Sequence, residues 1–235
     1  MRYEVHSRHV HRTLEQLGIR PAHATGRPPL LVFLHGRGQS PDALADQRFY
    51  AALRALGRRA PAVVLPAGGF QSYWHDRRSG RWSDYVVDEV VPAAARRLHA
   101  DPRRVAIGGI SMGGFGAYDL ALTHPGRFCA VGGHSAAIFT AAGLTAPGAF
   151  DDAADFARHD VLAAARERGP TAFGSAPLWL DDGASDPFHP ADAAFAAALH
   201  IPLHTWPGRH EAVYWDAHYG AYLRFYAAAL ARCRS

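Results

Sequence analysis

The chain contains no lysine, so all 25 of its basic residues are arginine. That absence excludes a lysine-dependent phosphate loop, a Schiff-base mechanism and a serine–lysine dyad, each of which needs the lysine amine. Cysteine is scarce as well. Two of them, Cys129 in an apolar stretch and Cys233 near the carboxyl end, are too few for a disulfide framework in 235 residues, and Cys129 reads as a core thiol. No stretch approaches the roughly 20 uninterrupted apolar residues of a membrane span, and the amino end, Met1 to His6, lacks a signal peptide's apolar segment. With Met1 as the native start, a cytoplasmic location is expected.

Cofactor signatures are missing too. Gly36-Arg37-Gly38 lacks the third glycine of a dinucleotide fingerprint, and His210-Glu211-Ala212-Val213-Tyr214 lacks the second histidine of a zinc-protease helix. His9 and His11 would share one face of an early strand, but no third ligand stands near them. No cofactor and no metal are expected. The net charge of +4 and pI near 9.3 come from arginines scattered through all regions, with no aromatic-interleaved basic stripe, so no nucleic-acid partner is expected.

What remains is an ordinary globular composition, 49% hydrophobic and 20% charged, long enough for one sizeable core and read as a single domain over 1–235. Short apolar runs at Leu30 to Leu34, Ala62 to Leu65, Val105 to Ile110, Phe128 to Val131, Leu178 to Leu180 and Pro202 to Trp206 alternate with helical stretches near 42–56, 82–99, 112–123, 190–199 and 212–231. Runs apolar throughout suit strands buried on both faces, so the pattern predicts an α/β fold with a mostly parallel central sheet and helices on both faces. Arg2 to His11 predicts an early, edge-type strand followed by a polar stretch. Residues 141–174, rich in glycine and proline at their start, read as a small lid-like insertion.

The most telling segment is Gly109-Ile110-Ser111-Met112-Gly113, which follows a β-branched strand and precedes a packing helix. This is the setting of a nucleophile elbow, where a sharp strand-to-helix turn exposes a serine hydroxyl. A serine needs a histidine to take its proton and a carboxylate to orient that histidine. After Leu178 to Leu180 comes Asp181-Asp182-Gly183-Ala184-Ser185-Asp186, in which Asp186 lies beyond the glycine turn; Asp181 and Asp182 remain rivals, more suited to bracing the turn. After the last strand comes His210, with His218 as its rival. The order Ser111, Asp186, His210 is that of α/β-hydrolases. Backbone amides of Met112 and Arg37 are the candidate oxyanion donors. The aromatic segment Phe70 to Trp82 reads either as core or as a surface that stacks an aryl or sugar-linked acyl group; Tyr73 and Trp74, with Trp215, are the candidate substrate contacts.

From about Leu30 onward the chain resembles the esterase family of α/β-hydrolases, which includes S-formylglutathione hydrolase, feruloyl and enterochelin esterases and the antigen 85 mycolyltransferases. The resemblance rests on Val32-Phe33-Leu34-His35-Gly36, Ser72-Tyr73-Trp74-His75-Asp76, Trp82-Ser83-Asp84-Tyr85, the elbow, and Gly208-Arg209-His210 with Tyr214-Trp215. His134-Ser135 departs from it, standing where many relatives have Ser-Gly. The resemblance implies the α/β-hydrolase fold, Ser111 as nucleophile, His210 as base, Asp186 as acid, and the Arg37 and Met112 amides as oxyanion hole. The expected function is a cofactor-free carboxylesterase or thioesterase acting on a small-molecule ester through an acyl-enzyme. An acyltransferase with the same intermediate is the alternative, and a non-catalytic binding module is a further one. A homo-oligomer is compatible with the composition.

Overall fold

The computed structural model describes residues 1–24 and 26–233. Eight strands make one sheet: β1 (Arg2–Ser7), β2 (Arg12–Ile19), β3 (Pro29–Leu34), β4 (Ala62–Pro66), β7 (Asp101–Ile110), β8 (Ala130–His134), β9 (Leu178–Gly183) and β10 (Leu203–Trp206). Between β4 and β7 a two-residue hairpin, β5 (Asp76–Arg77) and β6 (Gly80–Arg81), stands apart. The spatial order is β1-β2-β4-β3-β7-β8-β9-β10. β2 runs antiparallel to both β1 and β4, and every neighbour from β4 to β10 is parallel.

Alternation along β3 divides the core. Leu30, Val32 and Leu34 pack with residues of α4 (Val91–Arg97), α5 (Met112–Thr123), α7 (Val161–Arg168) and α8 (His189–Leu199). Leu31 and Phe33 pack on the other face, against α2 (Gln47–Ala55) and α9 (Ala212–Arg232). All five of these β3 residues are completely buried, which explains why the strand is apolar without a break. Parallel strands require crossovers, and the helices that make them cover both faces.

Several expected boundaries move for local reasons. The stretch 42–56 is two helices, α1 (Pro41–Leu44) and α2, because Asp46 caps the second by accepting the Phe49 N–H at 2.7 Å. The stretch 82–99 is α3 (Trp82–Asp84), a π-helical turn over Tyr85–Val90, and α4. The first strand ends at Ser7, whose hydroxyl accepts the His9 and Val10 amides, so His9 and His11 lie in a turn and do not share a strand face. The polar stretch after them is strand β2, which the sequence reading missed. Residues 141–174 carry α6 (Ala153–Arg158), α7 and two short 3-10 turns, packed with Phe150 against Tyr73 and Phe115.

The two cysteines correct the thiol reading. Cys129 and Cys233 are joined by a disulfide, with Cα atoms 5.7 Å apart across 104 residues of sequence. The bridge ties the end of α9 to the entrance of β8, two places that the linear sequence keeps far apart.

Candidate active site

Ser111 is the whole of the turn between β7 and α5. Its φ of 55° and ψ of −115° lie outside the wells open to ordinary L-residues, so the backbone is strained there. Packing enforces the strain. A Cβ at Gly113 would come 2.2 Å from the Leu34 carbonyl oxygen, so only glycine lets the first turn of α5 press against the end of β3. The Ser111 amide donates to the His134 carbonyl at 2.9 Å and its carbonyl accepts from Ala137 at 3.0 Å, which fixes the elbow to the end of β8.

The loops after β9 and β10 bring the partners. The Ser111 hydroxyl donates to His210 Nε2 at 2.9 Å, and His210 Nδ1–H donates to Asp186 Oδ2 at 2.9 Å. Asp186 Oδ1 accepts the Phe188 amide at 2.8 Å. Burial raises the Asp186 carboxyl, but the hydrogen bond and charge of His210, the Phe188 N–H and the Ser135 hydroxyl outweigh it and hold the group below the usual aspartate value. An ionised Asp186 in turn keeps the proton on His210 Nδ1 and leaves Nε2 free to accept.

The rivals are engaged elsewhere. Asp181 accepts from His134 Nδ1 at 2.6 Å, Trp179 Nε1 at 2.7 Å and the Tyr214 hydroxyl at 3.0 Å. Asp182 accepts from His189 and Thr205. His218 stacks on Trp206, with ring centroids 4.2 Å apart.

The loop after β3 carries the other candidate amide. Gly36 N–H is taken by Gln39 Oε1 and Gly38 N–H by the Phe70 carbonyl, which leaves the Arg37 amide between them. Met112 opens α5, where first-turn amides have no intrahelical acceptor. His35, part of the motif Val32 to Gly36 but given no role by it, braces this loop: Nδ1–H donates to the Gly36 carbonyl and Nε2 accepts the Gly68 amide at 3.0 Å. Burial holds its pKa down to about 4, so it is neutral across the physiological range.

The candidate substrate contacts sort by depth. Trp74 is completely buried, its ring against Gly68 and Gly116 and its indole N–H on the His35 carbonyl at 3.2 Å; it supports the loop from beneath and presents no surface to a ligand. Tyr73 is 2% exposed and meets the rings of Phe115, Phe139 and Phe150. Phe139 touches Phe188, and Phe188 touches His210, so an aromatic wall runs from Tyr73 to the imidazole. Trp215 stands edge-on to His210 at 5.1 Å and donates to Ser135 Oγ at 3.0 Å. Phe139, Phe188 and Ser135 carried no signal in the sequence beyond residue type and, for Ser135, the departure from the family pattern.

The family model for "Putative esterase" matches residues 16–226. The chain belongs to the esterase family. Among curated relatives of this esterase-family chain, the MPT51 antigen of Mycobacterium leprae is 34% identical over 91 residues, covering 37% of this chain and 30% of the antigen. Esterase Rv1288 of Mycobacterium tuberculosis is 29% identical over 115 residues, 46% of this chain and 25% of that protein. The matches therefore span well under half of these relatives' lengths. Among solved structures, an S-formylglutathione hydrolase from Agrobacterium tumefaciens aligns with a TM-score of 0.81 at 19% identity, over 97% of this chain and 94% of that one. A ferulic acid esterase aligns with a TM-score of 0.81 at 19% identity, over 97% of both chains. The fold is that of the α/β-hydrolases.

Proposed function

We propose that the protein is a serine esterase or thioesterase of small acyl groups, working through Ser111, His210 and Asp186. The observation that carries this reading is the unbroken Ser111–His210–Asp186 hydrogen-bond chain at an elbow whose strain exposes the hydroxyl. As Ser111 Oγ attacks the acyl carbon, its proton passes to His210 Nε2, and the imidazolium is stabilised by the Asp186 carboxylate. The Arg37 and Met112 amides receive the oxyanion, each such donor contributing a few kcal/mol in the transition state. Collapse expels the alcohol or thiol, which takes the proton from His210. Water then attacks the acyl-enzyme with His210 as base again, releasing the acid and restoring Ser111.

Phe188, backed by the buried Phe139 and Tyr73, is the surface that the acyl or leaving group would lie along, with Trp215 holding the imidazole plane. Trp74 acts by supporting the Arg37 loop. All eight strands of the main sheet join in one layer, which supports reading 1–235 as a single domain. No helix among the described residues is long and apolar enough to cross a membrane. The Cys129–Cys233 bridge favours an oxidising compartment over the expected cytoplasm.

The test is hydrolysis of short-chain p-nitrophenyl esters by wild-type, Ser111→Ala and His210→Ala proteins whose folding is checked by circular dichroism. Losses of about 10⁴-fold or more in kcat are expected for both variants. Full turnover by folded Ser111→Ala overturns the reading. Labelling by a fluorophosphonate that Ser111→Ala abolishes is the matching covalent readout.

A further inference from the structure

A second histidine–carboxylate constellation lies under the 141–174 segment and is used by nothing above. His75 Nε2 is 3.1 Å from Asp155 Oδ2, and His159 Nε2 is 3.9 Å from Asp155 Oδ1. One ligand atom from each of the three residues lies within 4.8 Å of the others. Four ligands about a tetrahedral ion with bonds of about 2.0–2.1 Å stand roughly 3.3–3.4 Å apart. The two imidazole nitrogens, 3.1 Å from one oxygen and 3.9 Å from the other oxygen of the same carboxylate, lie near that spacing, and the set would draw in slightly to hold an ion. Asp119 accepts from His159 Nδ1 at 2.8 Å, which makes Nε2 the lone-pair nitrogen and turns it towards Asp155. A carboxylate behind a ligating imidazole is the usual outer partner of a zinc-bound histidine.

The charges are also incomplete. Asp119, Asp155 and His75 have no exposed side-chain surface, and His159 has 9%. Two carboxylates in so dry a site demand compensating positive charge. Arg158, 62% exposed, supplies one, donating to Asp155 Oδ1 at 2.8 Å, while the Asp151 amide donates to Oδ2 at 2.8 Å. Asp119 Oδ2 and His75 Nδ1 are buried without a hydrogen-bond partner.

We propose that His75, His159 and Asp155 form a structural site for a divalent transition metal, with zinc the ion that the two imidazoles and one carboxylate suit best. Asp119 orients His159, and Arg158 with the Asp151 amide holds the Asp155 carboxylate. The ion would join two separate stretches, the loop bearing Tyr73 and α6 with the residue that caps its end, with helix α5 held to them through Asp119 behind His159. A proton on His159 is the competing source of positive charge. Burial lowers that histidine's pKa, but the hydrogen bond and charge of Asp119 and the charge of Asp155 carry it above the ordinary value.

The discriminating experiment takes chelator-treated wild-type protein, dialyses it against zinc chloride and then buffer, and measures bound metal by elemental analysis. About one equivalent retained is expected, with Tm raised by about 5–10 °C at zinc a hundredfold above Kd. His75→Gln and His159→Gln should each lose that equivalent, whereas the His9→Gln/His11→Gln double variant should keep it. Wild-type protein that retains under about a tenth of an equivalent and shows no zinc-dependent Tm has only the protonated network, which overturns the site whether or not the variants fold. Metal that survives in folded His75→Gln and His159→Gln, or that leaves with His9 and His11, overturns it equally.

Discussion

Two of the protein's assemblies of histidine and aspartate have hydrogen bonds of similar length, and their surroundings give them opposite chemistry. In one, His210 lies between Asp186 and a serine hydroxyl, with 23% of its side chain exposed, and its free nitrogen faces a nucleophile at a strained turn. In the other, His75 and His159 are closed in by Phe150, Asp119 and Asp155, and no hydroxyl among the described residues is offered to either. Access and the third partner make the difference. An imidazole that is partly wet and holds a serine can shuttle a proton, whereas two imidazoles and a carboxylate turned inward can only pair charge or bind a cation.

The sharpest way to break this comparison is to remove one carboxylate from each assembly. Asp186→Asn should lower kcat by about 10³–10⁴-fold, because the amide no longer favours the tautomer with a free Nε2. Asp155→Asn should cost little turnover by comparison and show its effect in bound zinc and Tm. Equal losses of kcat in the two folded variants, measured on one ester, would mean that the assemblies are not separate.

Acid melts sharpen the comparison next, through the loop that serves only the first assembly. Burial depresses the His35 pKa to about 4, below the ordinary histidine value. Its stabilising share is therefore fully present above about pH 6.5 and is lost as pH falls towards 4, for a total of roughly 3 kcal/mol. Thermal melts across that window should show the loss, and His35→Gln should flatten that part of the profile. Reduction of the disulfide is a control on both assemblies, since the bridge touches neither. Cys233→Ser should cost about 2–4 kcal/mol in denaturant unfolding while leaving kcat and bound metal in the folded state unaltered. The smallest change in stability belongs to the elbow itself: Ser111→Gly, which removes the proposed nucleophile, should raise stability by about 1 kcal/mol, because glycine relieves the positive φ.

The sequence was most legible where chemistry is written locally. The elbow, the strand before it and α5 over 112–123 all follow from a handful of adjacent residues, as does the placing of His210 after the last strand. Asp186 could only be preferred over Asp181 and Asp182, since three acids within six residues differ in nothing but the direction their loop gives them. Trp74 and Tyr73 looked like ligand contacts because aromatic residues serve cores and sites equally well. Both are buried and differ only in what they touch: Trp74 underlies the Arg37 loop, while Tyr73 packs among Phe115, Phe139 and Phe150. β2 was hidden because its first half is polar and largely exposed and its buried stretch, Gln16-Leu17-Gly18, holds only one large apolar residue, so it lacks the apolar run that marks the central strands although it pairs on both sides.

Determined by the sequence alone were the fold class, the candidate nucleophile and the chain order of its proposed partners, because strand periodicity, turn chemistry and the elbow motif act over a few residues. Tertiary structure alone decided which aspartate meets His210, that Cys129 and Cys233 are bridged, and that His75 meets Asp155 across 80 positions while Asp119 meets His159 across 40. Such pairings depend on how loops and helices converge over the sheet. No period or spacing along the chain encodes that convergence, because it is fixed by the packing of many distant side chains together.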